Sequence, residues 1–375
     1  MKNKIYLDNA STTKIDDDIL DKVIDYIRQS YGNPSSLYKD GKEAKKIIEN
    51  ARIQVAKAIG AKENEIYFTS GGTEADNWIL KQVLNSEKKA LVTSKLEHHA
   101  ILNTAEFLSK NGVSVKYLDV DKNGKVLSDK LEKMNSGEVS LVSIMYSNNE
   151  IGTIQDIKKL AELAHEKGAI FHTDAVQALG KIDIDVKRDG IDALSLSGHK
   201  IHAFKGIGAL YVSDKIKITP QIFGGEQERG KRASTENVGG IMSLGLACEK
   251  INDEIENIDK IINLRDYFIK NVLENIDGVI LTGDRVDRIA NIASFCFKDV
   301  DSSLALILLD KEGISVSAGS ACMSGSIEPS HVLQAIGVGN EYIKGSLRFS
   351  FSKYTTKEEL DITLETLKKI IQKVR

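Results

Sequence analysis

Val139-Ser-Leu-Val-Ser-Ile-Met145 is an apolar run of strand length. It is followed by Asp156 to Lys167, patterned as a helix, and then by a second strand-like run, Ala169-Ile-Phe-His172. Strand, helix and strand in that order make a βαβ unit, because parallel neighbours need a crossover of about this length. The same alternation extends outward. Upstream lie strand-like Glu65 to Thr69, Ala90 to Thr93 and Val113 to Leu118; downstream lie Ile191 to Leu196 and Ile207 to Val212. Between and before them, Ile15 to Tyr31, Gly41 to Ile59, Thr73 to Leu84 and His98 to Leu108 carry apolar residues at helical spacing. The expectation is an α/β fold with a mostly parallel seven-stranded sheet, whose ligand sits at the carboxyl ends of the strands.

Past Gly239-Gly240 the pattern changes to a helical stretch from Ile241 to Asn275. Short strands follow at Asn291 to Phe297 and Ser346 to Ser350, and the capping box Thr356-Lys-Glu-Glu359 opens a last amphipathic helix. We expect a large domain over 13–256 and a smaller α+β domain over 1–12 and 257–375.

Composition narrows the function. Over 375 residues, 51 Lys and Arg against 54 Asp and Glu give a net charge of −3, which argues against a nucleic-acid binder working through a basic field. Three cysteines fall short of a four-thiolate metal or cluster site, and no metal is expected. The start, Met1-Lys-Asn-Lys-Ile-Tyr-Leu-Asp8, lacks an apolar h-region, and no run approaches a membrane span, so a cytoplasmic location is expected.

Three segments at strand ends carry chemistry. Thr69-Ser-Gly-Gly-Thr-Glu74 joins a strand to a helix and reads equally as a phosphate cradle or as a tight turn capped by Thr73. Phe171-His-Thr-Asp-Ala-Val-Gln177 ends a strand in an acid and an amide, suited to a protonated ring nitrogen or simply to a helix cap. Ser195-Leu-Ser-Gly-His-Lys200 presents a lysine able to form a Schiff base. Together they supply the parts of a pyridoxal-phosphate site. Glu97-His-His-Ala100 adds a histidine at a helix start, able to stack on a ring or shuttle protons. Cys322 lies in the small-residue run Ser315 to Ser326, expected to be mobile, and is a candidate nucleophile. Cys248 and Cys296 sit in apolar segments and read as packing. Arg348, inside Ser346-Leu-Arg-Phe-Ser350, is either a carboxylate clamp or half of an interdomain salt bridge.

Taken as a set, these residues resemble the cysteine desulfurases of the NifS/IscS type, fold-type-I pyridoxal-phosphate enzymes related to the class V aminotransferases. The likeness includes Tyr6-Leu-Asp-Asn-Ala10, Gly32-Asn-Pro-Ser-Ser36, Asn148-Asn-Glu-Ile-Gly152, Gly224-Gly-Glu-Gln-Glu-Arg229 and a long cysteine loop ending in Glu328-Pro-Ser-His-Val-Leu333, as in the group I subfamily. The resemblance implies that Lys200 holds the cofactor covalently, Asp174 pairs with its ring nitrogen and Gln177 contacts its ring hydroxyl. It implies that His98 stacks on the ring and that Asn149 touches it. Gly72, Thr73, Ser197 and His199 would bind the phosphate, joined by Thr235 of a neighbouring subunit in a homodimer. Asn33 and Arg348 would hold the carboxylate of L-cysteine. Cys322 would take the sulfur as a persulfide, leaving alanine, and pass it to an acceptor such as an iron–sulfur scaffold or a tRNA-thiolation enzyme. An aminotransferase or selenocysteine lyase of the same fold, and a degenerate sulfur-transfer subunit, are the competing readings.

Three positions depart from the family pattern: Ala203-Phe204 ahead of Lys205-Gly206, Ser234 where glycine is usual, and Ser352 likewise. A serine at position 234 would be strained if the backbone there has positive φ. The chain runs only to Arg375, so the C-terminal extension that many group I members use on a scaffold partner is expected to be absent.

Overall fold

Leu141–Ser143 forms an inner strand of a seven-stranded sheet in a computed structural model that describes residues 4–251, 255–318 and 329–375. In chain order the strands are β1 Ile5–Tyr6, β2 Ile66–Thr69, β3 Ala90–Ser94, β4 Ser114–Leu118, β5 Leu141–Ser143, β6 Ile170–Asp174, β7 Ala193–Ser197, β8 Gly208–Val212, β9 Val279–Leu281, β10 Ile292–Phe297, β11 Ile314–Ser315 and β12 Ser346–Ser350. The large sheet has the order β2-β8-β7-β6-β5-β3-β4. Only β8 runs against the others, pairing antiparallel with both β2 and β7. β5 is shorter than its apolar run because its pairing with β3 ends at Ser143: the Met145 N–H is taken by the buried Glu97 carboxyl group, while Ile144 and Tyr146 N–H still donate to His172 O and Asp174 O.

Helices cover both faces, as a parallel sheet requires. Gly72–Lys81 and His99–Lys110 pack Trp78, Ile79, Ile101 and Leu108 on one side with Ala193, Leu210 and Val212. On the other side Asp17–Gln29, Lys39–Ala58, Ile157–Glu166 and Val238–Ile251 bring Val23, Ile48, Leu160 and Leu244 against Leu194, Leu196 and Tyr211. Alternate residues of β7 and β8 therefore serve opposite cores. The stretch read as one helix from 241 to 275 is two, Val238–Ile251 and Ile255–Asn275, with 252–254 outside the described residues.

The second core lies on the antiparallel sheet β12-β10-β9 and the helix Lys357–Val374. Its centre is aromatic: Phe268 has ring centroids 4.9 Å from Phe349 and 6.2 Å from Phe295, tilted or edge-on, the arrangement ring quadrupoles favour. The N-terminal segment belongs to this unit. β1 pairs in parallel with β11, Leu7 is buried in the aromatic core, and Asp8 bridges to Ser350.

Candidate active site

The carboxyl ends of β2, β6 and β7 open on a cavity of about 330 Å³. Two glycines make the approach possible. A Cβ on Gly208 would lie 2.5 Å from Leu196 O and 2.7 Å from Gly71 Cα, and one on Gly72 would lie 2.6 Å from Val176 Cγ2. Gly71 begins the helix Gly72–Lys81 with no side-chain cap, so its first-turn N–H groups are left to a ligand beside Gly72 and Thr73 in the wall. Ser197 and His199 line the same region. His199 Nδ1 is 3.2 Å from Thr12 Oγ1, and burial, aided by Lys200, holds its pKa down at about 4.

Lys200 extends from the turn after β7, and its Nζ donates to the carbonyls of Ala10 (2.6 Å) and Ser11 (2.8 Å). Asp174, at the end of the neighbouring strand β6, also lines the cavity and accepts from Val176 N–H at 2.9 Å. Burial raises its carboxyl pKa, against the pull of His98, the Val176 N–H and Lys200. Gln177 gives its amide N–H to Ala10 O (2.8 Å), while its Oε1 is buried with no partner among the described residues. His98 caps the helix His99–Lys110 by accepting from Ala100 N–H through Nδ1 (3.1 Å), which in the neutral ring leaves the proton on Nε2. Burial lowers its pKa and keeps it neutral, Asp174 opposing. Asn149 also lines the cavity.

Arg348, in β12, comes from the other sheet and is 3% exposed. Its Nη1 donates to Asn149 O (2.8 Å) and its Nη2 to Ser11 Oγ (2.7 Å) and Asp8 Oδ1 (2.9 Å), and its Nε is buried without a partner among the described residues. Arg348 lines the cavity, and its ion pair with Asp8 lies within the smaller unit, not between the two as the salt-bridge reading had it.

An uncapped helix start, an acid, an orphaned amide oxygen and a lysine lining one cavity are a donor set that fits pyridoxal phosphate. This fit rests on the Gln177 Oε1 atom and on the uncapped helix start at Gly72, both of which face one cavity.

A model of the family Aminotransferase class-V matches residues 5–363. The chain belongs to this family. Among its class-V relatives, a cysteine desulfurase IscS of Dictyoglomus turgidum is 47% identical over 379 residues, covering 100% of this chain and 96% of that protein. Another, of Methanosarcina thermophila, is 47% identical over 375 residues, covering 99% and 93%. A solved NifS-like protein superposes with a TM-score of 0.93 at 37% identity, covering 99% of this chain and all of that one.

Not every expected residue meets in this class-V cavity. Asn33 is exposed and does not line it; its Oδ1 accepts from Ser35 N–H at 2.9 Å, closing a local turn. Thr235 lines a separate cavity of about 250 Å³ with Ser70, Arg232 and Ser234. Cys322 lies outside the described residues, as does most of the run expected to be mobile. Cys248 and Cys296 are buried, and burial pushes both thiols up to about 12. Ser234 has φ +101°, so the serine in the glycine position is strained. Ser352 is not among the positive-φ residues; its carbonyl and hydroxyl accept from Thr355 N–H and Tyr354 N–H in a turn that does not need glycine. Phe204 packs at the edge of the large core and its N–H is bonded to Ser243 Oγ at 3.2 Å.

Sequence reasoning missed Asp8, Ser11 and Asp76. Asp76 was legible in principle, lying three residues after Thr73 and so on the same helix face. The backbone acceptors of Ala10 and Ser11 leave no trace in residue type.

Proposed function

We propose that this protein is a pyridoxal-phosphate-dependent cysteine desulfurase. What carries the reading is the convergence of Lys200, Asp174, His98 and Arg348 on one cavity beside an uncapped helix start. It is supported by near full-length relatives whose own names are cysteine desulfurase.

The bound cofactor supplies an electron sink for charge developing at the substrate Cα. Gly72, Thr73, Ser197 and His199 would hold its phosphate, and Asp174 its ring nitrogen. Arg348 would orient the L-cysteine carboxylate, using the donor capacity its internal partners leave. Lys200 would anchor the cofactor and remove the Cα proton at Nζ. His98, neutral with its proton on Nε2, would move a proton at the face of the ring. Cys322 would accept the substrate sulfur as a persulfide while the substrate leaves as alanine.

A homodimer is part of this proposal. Tyr31, Leu37 and Phe223 are large apolar side chains left 93%, 86% and 81% exposed, and Thr235 stands in a cavity apart from Lys200. Both observations favour a shared site. No described helix is long and apolar enough to cross a membrane, and we place the enzyme in the cytoplasm, handing sulfur to an iron–sulfur scaffold or a tRNA-thiolation enzyme.

The test is alanine and protein persulfide formation from L-cysteine. Lys200→Ala should abolish both, and Cys322→Ala should abolish persulfide. Full sulfide release by Cys322→Ala would exclude the persulfide route, and no cofactor binding by the wild type would exclude the whole reading. Light scattering, and restored activity on mixing Thr235→Ala with Lys200→Ala subunits, test the shared site.

A further inference from the structure

Behind Asp174 lies a second acid that the proposed mechanism does not use. Asp76 is 1% exposed, reaches the cavity wall, and has an Oδ1 with no hydrogen-bond partner among the described residues. That oxygen is 3.8 Å from His172 Nε2, too far for a hydrogen bond. His172, itself fully buried, is held between two hydroxyls instead: Ser143 Oγ at 2.9 Å from Nδ1 and Ser195 Oγ at 3.0 Å from Nε2. Ser195 also hydrogen-bonds Asp76 and is the cross-strand partner of Asp174. A row of side chains, Ser143, His172, Ser195 and Asp76, thus ends beside the acid expected to hold the ring nitrogen.

We propose that Asp76 is a positioning residue, a neutral acid that leaves Asp174 as the one anion of the cavity floor and holds Ser195, the strand neighbour of Asp174, in place. Two carboxylates buried together do not both ionise, and the proton goes to the one with less compensation. Asp174 has the Val176 N–H and Lys200 to stabilise its charge. Asp76 has only the Ser195 hydroxyl, and both Asp174 and Glu97 oppose its charge. His172 offers no countercharge, since burial holds its pKa down at about 3. The pair Asp76 and His172 is therefore neutral and neutral, not an ion pair. In this site an ionised Asp76 would compete for the ring proton.

The inference rests on the cofactor reading above, and the experiment separates the two. Apo-protein is titrated with pyridoxal phosphate, and the pH dependence of the absorbance of the bound form is recorded. Asp76→Asn keeps a neutral polar group, so the affinity and the titration midpoint should match wild type. Asp76→Ala removes the link to Ser195 and should weaken binding by about tenfold and move the midpoint. A large change in Asp76→Asn would mean the acid works as an anion, and no change in either variant would mean it positions nothing; each overturns the proposal. If Asp76→Ala does not fold, Ser195→Ala takes its place with the same expected loss. A wild type that binds no cofactor fails the earlier reading, not this one.

Discussion

Arg348 Nη2 stands 2.9 Å from Asp8 Oδ1, so the guanidinium expected to grip a substrate carboxylate already carries a carboxylate of its own. Asp8 is supplied by the segment after β1 and Arg348 by β12, and the Asp8–Ser350 bridge sets their spacing. The pair aims the guanidinium and lowers the cost of burying it.

Asp8→Asn should therefore raise the KM for L-cysteine several-fold while kcat falls less. The orienting charge is lost but Ser11 and Asn149 still hold the guanidinium. Steady-state kinetics of alanine formation check this. An unchanged KM with a lower melting temperature would show Asp8 to be structural only.

Ser234 predicts a gain in stability. At φ +101° and exposed, it bears strain on the order of 1–3 kcal/mol, against about 0.5–1 kcal/mol of extra unfolded-state entropy for glycine. Ser234→Gly should stabilise by about 1 kcal/mol and raise the melting temperature. A lower one would place the strain elsewhere.

Glu97 predicts a pH dependence. Burial raises its carboxyl to about 8, and Glu150, bonded to Ser330 Oγ at 2.5 Å, to about 7. Both folded-state values lie above the ordinary 4.5, so the unfolded chain ionises first. The stability these groups contribute is complete below about pH 4.5 and is lost as pH rises to about 7 and 8. Glu97→Gln keeps acceptor and donor positions for Met145 N–H and Ser94 Oγ. Its apo melting temperature should fall less than wild type over that window, and an identical slope in the two proteins would refute the assignment.

The buried thiols predict a labelling pattern. With Cys248 and Cys296 inaccessible and shifted to about 12, folded Cys322→Ala protein should resist alkylation at neutral pH and take up two labels on denaturation. Fast modification of the folded variant would contradict the burial described.

The sheet was legible in the chain because β5, β6 and β7 are buried segments of strand length set between stretches of helical spacing. Helix boundaries shifted by one to three residues, as fraying ends do. Ile27 continues the pattern of Ile19 and Val23 but is 52% exposed, because helical spacing marks a face without saying what covers it. β1 and β11, two residues each, are too short to carry a period. Within the site, Lys200, Asp174 and His98 were found because their chemistry belongs to their side chains. Asn33 was not brought in, since its side chain is spent on its own turn. The cradle of Lys200 went unread because it consists of carbonyls.

Those carbonyls belong to Ala10 and Ser11, and they are fixed from the far end of the chain: Ala10 N–H donates to Ser350 Oγ at 2.8 Å, and Ser350 N–H to Leu7 O at 2.7 Å. On the ribosome the large sheet can form while β12 is still unmade, since its strands end at Val212. The lysine's cradle cannot, because its partners lie some 340 residues apart in sequence. Catalytic competence is thus the last property the nascent chain acquires, and a half-made molecule has a folded sheet without a working lysine.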